Sequence, residues 1–209
     1  MSKAQNPLTG QMSGSMGNFV TTRLGKKNII RAKAFEPRDA KSEAQVKQRN
    51  GFKLIVDVYP ALGSIPEEGF VQRPANTSVY MAFMAANMPE AIDKSGETSV
   101  IDYSKLSVSD GSISKVIVTE ATLDETGITV RYMPSLKNEL NKPTDELVAL
   151  ALLESGELWI ERQPRGSELT DSILIPVTNV TAADILGVYV FAKRADGSKV
   201  SKTAYVIIS

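Results

Sequence analysis

From about residue 98 to its end, the chain consists of short β-rich runs separated by turn residues, and this rhythm constrains the fold more than any other feature. The runs fall at 100–103, 115–119, 127–132, 147–152, 157–161, 172–177, 187–191 and 203–207. Several alternate with period two: Ile128, Val130 and Tyr132 share one face, Thr129 and Arg131 the other. Asp196-Gly197 lies between the last two runs, a strong hairpin signal. About seven strands in roughly a hundred residues, with no helical segment between them, predict an antiparallel sandwich of immunoglobulin or fibronectin type III kind. The chain has no cysteine, so the inter-sheet disulfide of antibody domains is absent and the fibronectin-like variant fits better.

The N-terminal part reads differently. Residues 1–16 are rich in Gly, Ser, Asn and Gln without apolar periodicity, and are expected to form a flexible arm. Two β-prone runs follow, Phe19-Val20-Thr21-Thr22-Arg23-Leu24 and Lys27-Asn28-Ile29-Ile30-Arg31-Ala32, around Gly25-Lys26; they predict a hairpin. Glu36-Pro37 breaks the strand, and Asp39 or Ser42 is placed to cap a helix over 44–62. Its apolar positions recur at three- and four-residue steps, although Leu54-Ile55-Val56 also suits a strand. Asn76-Thr77-Ser78 caps a second helix over 79–88, apolar nearly all round and so expected to be buried. The expected fold class is α+β: an arm over 1–16, a basic hairpin and helical region over 17–97, and the sandwich over 98–209.

With neither cysteine nor histidine, the chain lacks thiolate chemistry, Ser-His-Asp catalysis and the common transition-metal ligands. Carboxylates, Lys, Tyr and Ser remain as catalytic material. Glu154, Glu157 and Glu161 flank Trp159, but Glu157 and Glu161, four apart on a strand, stand about 13 Å apart, too far for a glycosidase pair. Gly25-Lys26 is followed by Lys27 and has no upstream glycine at phosphate-loop spacing. The reading is therefore of a non-enzyme, with no cofactor, no metal and no small-molecule substrate. No apolar run reaches the length of a membrane span and the N-terminus lacks a signal-peptide core, so the expected location is a virion or the cytoplasm.

Net charge is zero but segregated. Residues 1–53 hold 11 Lys/Arg against three acids, and residues 54–209 hold 13 against 21. A basic arm of this kind suits an anion or the acidic body of a neighbouring copy. The candidate contact residues are Arg23, Lys26, Lys27, Arg31 and Lys33 on or beside the hairpin, with Lys47 and Arg49 on the following helix. Such density can neutralise several phosphates, while aromatic interleaving for base stacking is thin.

The run Gly14-Ser15-Met16-Gly17-Asn18-Phe19-Val20, then Lys27-Asn28-Ile29-Ile30-Arg31 and Ser42-Glu43-Ala44-Gln45-Val46-Lys47-Gln48-Arg49, resembles a family of proteins of about this length from Bacteroidota, the domain of unknown function DUF6266. Val100-Ile101-Asp102-Tyr103-Ser104-Lys105-Leu106 and the ending Asp196-Gly197-Ser198-Lys199-Val200-Ser201-Lys202-Thr203-Ala204-Tyr205 extend the likeness over nearly the whole chain. The resemblance implies a hairpin-plus-helix region and a fibronectin-like C-terminal half, and it implies no catalytic residues. Members commonly carry Trp where this chain has Tyr132.

Two functional readings stand. One is a structural protein of a larger assembly, a phage or phage-like particle, self-associating as an oligomer through its basic N-terminal region. The other is a binding module, taking nucleic-acid backbone through the hairpin, or glycan or protein through the sandwich loops at 162–166 and 138–143.

Overall fold

A computed structural model describes residues 2–4, 12–25, 27–34, 41–133, 140–166 and 172–208 of the chain. Two compact units emerge, Met1–Ser42 and Glu43–Ser209. This division sets the helices with the C-terminal sheets rather than with the hairpin.

The first unit is one antiparallel sheet. The predicted hairpin is present as β3 (Phe19–Leu24) and β4 (Lys27–Ala32), turning at Gly25, where φ is +60°. Strand β1 (Ser2–Ala4) pairs with β4, and β2 (Gly14–Met16) with β3, giving the order β1-β4-β3-β2. Within the segment 1–16, expected as a flexible arm, Ser2–Ala4 and Gly14–Met16 are paired strands, and 5–11 lie outside the described residues. A hairpin has two edges of unpaired N–H and C=O groups, and flanking extended segments satisfy them.

The second unit combines three α-helices with antiparallel sheets, a mixed helix-and-strand architecture. Its helices are α1 (Glu43–Ala61), α2 (Ile65–Gly69) and α3 (Val79–Glu90). The mixed stretch at Leu54-Ile55-Val56 is helical: Ile55 is buried, while its neighbours are half-buried on either side. Ser78 caps α3 by accepting the Met81 N–H at 3.1 Å. That helix is not enclosed, as its composition suggested. Phe83, Met84 and Asn87 are buried, and Met81 is 60% exposed.

Strands β5 (Ile92–Asp93) and β6 (Val100–Ile101) form a two-residue ladder beside the helices. The run at 100–103 therefore belongs to the helical side and not to the sandwich. The remaining strands are β7 (Val118–Asp124), β8 (Gly127–Tyr132), β9 (Glu146–Leu153), β10 (Leu158–Pro164), β11 (Ser172–Ile175), β12 (Ile185–Lys193) and β13 (Ala204–Val206). They make a three-stranded sheet, β11-β8-β7, and a four-stranded sheet, β10-β9-β12-β13. Strand β7 begins three residues after the predicted start. Its inward positions are Val118, Ala121 and Leu123, and a register shift between Val118 and Glu120 breaks their alternation among Thr and Glu.

Both faces of the four-stranded sheet are covered. From Leu147 to Leu153 every residue of β9 is buried, and β12 is buried from Gly187 to Ala192. The second sheet is faced by Ala149, Ala151 and Ala192 at the centre, Val188 and Val190, and Leu147 and Leu153 at the two ends of β9, packed against Ile128, Val130, Tyr132, Ile173 and Ile175. The helices are faced by Val148, Leu150, Leu152, Tyr189 and Phe191, packed against Ile55, Leu62, Ile65, Phe70 and Phe83. The result is three layers, sheet on sheet on helices.

The segment 106–113 ties the helical layer to the sheet. Asn87 donates from Nδ2 to the Ser107 carbonyl at 2.9 Å and accepts the Ser107 N–H at 2.7 Å. The Thr203 hydroxyl accepts the N–H groups of Val108 and Ser109 at 2.9 and 2.8 Å. Gly69 closes the junction: a Cβ there would stand 2.0 Å from the Val108 carbonyl oxygen. We expect Gly69→Ala to lower unfolding free energy by more than about 2 kcal/mol, because backbone must move. A urea midpoint within error of wild type would remove this account of the junction.

Candidate functional site

The predicted cations fall on both units. Arg23 lies in β3 and donates from Nε to the Gly25 carbonyl at 2.6 Å. Lys27 opens β4 and Arg31 sits near its end, with Lys33 just beyond it. Lys26 lies outside the described residues. Lys47 and Arg49 belong to α1 of the second unit; Lys47 pairs with Glu43 at 2.8 Å and its carbonyl accepts the Ser99 hydroxyl. The charge division persists between the two units, at smaller magnitude than across residue 53. Residues 1–42 carry eight Lys/Arg against two acids, a net of +6, and residues 43–209 carry 16 against 22, a net of −6.

Register sorts the N-terminal side chains by face, because directly opposed residues point the same way. One face carries Val20 opposite Arg31, Thr22 opposite Ile29, and Leu24 opposite Lys27. The other carries the row Met16, Phe19, Ala32, then Thr21 with Ile30, then Arg23 with Asn28. Among the described side chains of this sheet only Thr21 and Asn28 are buried, and both are polar. Met16, Phe19 and Leu24 are more than half exposed. A sheet gains independent stability by covering an apolar face, and neither face here buries an apolar side chain among those described.

Acidic residues of the second unit collect at one end of the paired sheets. The β7–β8 turn brings Asp124 and Glu125, the β9–β10 turn Glu154 and Glu157, and the β11–β12 connection Asp184; all five are exposed. No Lys or Arg occurs at 121–128, 151–158 or 176–186. The loops adjoin: the Glu154 N–H donates to the Asp184 carbonyl at 2.8 Å. Asp124 and Glu125 also share a hollow of about 690 Å³ with Leu123, Val177, Asn179, Val180 and Thr181. The Thr126 hydroxyl, helped by the Thr126 and Gly127 N–H groups, holds the Asp124 carboxyl below its usual range. The Thr181 hydroxyl and N–H do the same for Asp184. Both carboxyls therefore keep their charge into mild acid.

The opposite end is mixed in sign and internally engaged. Glu68 of α2 receives Arg162 of β10 at 2.6 Å and Lys193 of β12 at 2.8 Å. Gln163 donates to the Tyr132 hydroxyl at 3.0 Å and to the Ser172 carbonyl at 2.9 Å. Arg165 is buried, and Asp145, fully buried, lies 3.2 Å from Arg194. The polar side chains of 162–166 are thus engaged within the chain, Arg162 at the surface with Glu68, Gln163 with Tyr132 and Ser172, and Arg165 buried. Of the 138–143 loop, 138 and 139 lie outside the described residues. Sequence reading missed Glu68 altogether, since its two partners lie 94 and 125 residues away.

A groove along α3 joins a cavity of about 460 Å³, lined by Lys105, Lys115, Lys202 and Tyr205, to one of about 420 Å³ walled by Phe70, Ala82 and Ala85; Ala86 and Asp110 line both. Among the described residues no group of three carboxylates is placed to hold a metal ion. No helix there is long and apolar enough to cross a membrane.

The model of one family, a family of unknown function (DUF6266), matches residues 11–207. No curated protein and no solved structure matches the chain.

Burial pushes the Glu68 carboxyl up, but Lys193 and then Arg162 together outweigh it and hold the group below its ordinary value. A depressed carboxyl adds stability above its unfolded pKa, and that gain is lost as pH falls through the folded value. We expect Glu68→Gln to cost about 1–2 kcal/mol at pH 7, limited by solvent screening of the half-exposed pairs. Urea unfolding at pH 7 and at about pH 3 checks this: the gap should narrow in acid, and a constant gap would refute the ion-pair origin.

Proposed function

The chain belongs to DUF6266, a family of unknown function, and from the physics of its two units we propose that it is a non-enzymatic assembly protein, self-associating through its basic N-terminal sheet. One observation carries this reading: the division of net charge, +6 against −6, coincides with the division into compact units, and the basic unit is a sheet that buries no described apolar side chain. Such a sheet gains by being covered, and its charge selects an acidic cover.

We read the seven C-terminal strands as a fibronectin type III-like sandwich. Three features support this: three- and four-stranded antiparallel sheets, the absence of cysteine, and the placing of the fourth strand, β10, beside the third, β9. The setting that suits the reading is a repetitive particle, phage or phage-like. In it a sheet-to-body contact between copies is heterologous and propagates as a ring or a filament. Binding of nucleic-acid backbone by the same cations is the second reading, favoured by Lys27 and Arg31 lying on one sheet face.

Light scattering on the size-exclusion eluate tests the choice. At low salt we expect a defined oligomer that dissociates in about 1 M salt, where charges are screened beyond about 3 Å. Arg23→Glu/Lys27→Glu/Arg31→Glu should be monomeric at both. A wild-type monomer at both salts would overturn self-assembly, and salt-sensitive binding to duplex DNA by that monomer would establish the second reading.

A further inference from the structure

We propose that the surface receiving the N-terminal sheet of a second copy is the loop end of the body at 124–127, 154–157 and 179–184. This rests on the assembly reading above and names its contact.

The chemistry of the two surfaces is complementary in two independent respects. The first is charge. The loop end presents Asp124, Glu125, Glu154, Glu157 and Asp184, all exposed, with no cation in the loops that carry them. The sheet presents Arg23, Lys27, Arg31 and Lys33, and no described residue of the first unit is acidic. The second is shape and polarity. The hollow of about 690 Å³ beside Asp124 and Glu125 includes the apolar side chains of Leu123, Val177 and Val180. The sheet offers exposed Met16 and Phe19 side by side on the face that also holds Arg23. That face sets an apolar pair and Arg23 against an apolar-floored hollow flanked by carboxylates, while Lys27 and Arg31, on the other face, add to the positive field of the sheet.

Other surfaces of the body suit this occupant less. The groove along α3 is lined by Lys105, Lys115 and Lys202, and the opposite end of the sheets carries Lys142, Arg162, Lys193, Arg194 and Lys199. The exposed side of α1 carries Arg49 and Lys53. Each mixes these cations with acids, such as Glu90 and Asp110 in the groove and Glu68 at the opposite end, whereas the loop end carries acids alone. Rigid framing also favours the loop end. Asp124 accepts the Thr126 and Gly127 N–H groups at 2.7 and 3.2 Å, and Asp184 accepts the Thr181 N–H at 2.8 Å. The carboxylates at these two turns are therefore held in place before contact.

Because a sheet meets a loop end, the contact is heterologous and each copy both donates and receives. The test is a charge swap in the full chain. Glu125, Glu154 and Glu157 make no described side-chain hydrogen bond, so Glu125→Lys/Glu154→Lys/Glu157→Lys spares the turns that Asp124 and Asp184 hold. Circular dichroism and the urea midpoint confirm the fold of each variant. At low salt we expect this variant to self-associate about 100-fold more weakly than wild type. Glu67→Lys/Glu90→Lys/Glu97→Lys, with the same net charge elsewhere on the body, should stay within about threefold of wild type.

The loop-end variant and Arg23→Glu/Lys27→Glu/Arg31→Glu should each be monomeric alone and should co-assemble when mixed. Wild-type-like, salt-sensitive association of the loop-end variant would overturn this inference and leave the assembly reading standing. A wild-type monomer would remove the assembly reading itself, and this contact with it.

Discussion

The structure of the body depends on one strand pair being sealed on both sides. Strands β9 and β12 run antiparallel with Val148 opposite Phe191, Leu150 opposite Tyr189 and Ala149 opposite Val190. Alternate residues enter different cores, so every position from Leu147 to Leu153 is inaccessible to water. That accounts for the unbroken apolar run in β9, which a one-sided strand would have interrupted with polar residues. The helices are consequently no appendage. Without them Val148, Leu150, Leu152, Tyr189 and Phe191 would face water, at a cost of roughly 1.5–3 kcal/mol for each large side chain.

Attaching helices to a sheet face by apolar packing alone leaves their position loosely specified, and directional contacts complete it. Asn87 reads both backbone groups of Ser107, Thr203 gathers the N–H groups of Val108 and Ser109, and Gly69 lets the chain at Val108 approach without a side chain between. Buried Tyr189 adds a hydrogen bond from its hydroxyl to the Tyr103 carbonyl at 2.8 Å, and desolvation keeps that phenol protonated well above its usual range. Glu68 fastens α2 to β10 and β12 at the other side of the same layer. Together these contacts make the junction specific where hydrophobic burial is indifferent to register.

Against this well-filled body, the N-terminal sheet is the opposite case. Its four strands are joined by antiparallel ladders, yet its apolar side chains lie on both faces and none of those described is buried. Backbone pairing specifies its topology without supplying a core. Its charge and the charge of the body are equal and opposite, and the acidic loop end is the part of the body with no cation among its turns.

Short-range chemistry was legible. The hairpin at 19–32, the cap at Ser78, the helix following Ser42 and the Asp196-Gly197 turn are each set by neighbouring residues. So were the mixed helix-and-strand class and the segregation of charge. The run at 100–103 has the composition of a sandwich strand but pairs with Ile92 and Asp93, and β7 conceals its inward face behind Ala121. Periodicity reports how a segment alternates, not which neighbour it meets. Glu68, Arg162 and Lys193 come together only when α2, β10 and β12 are packed, and the five carboxylates of the loop end come from three separate turns. The sequence by itself determined the local elements and the charge on each segment, because those follow from neighbouring residues. Only the tertiary structure decided that the helices seal the second face of the sheet and that the acids converge at one end, because both depend on contacts between residues far apart in the chain.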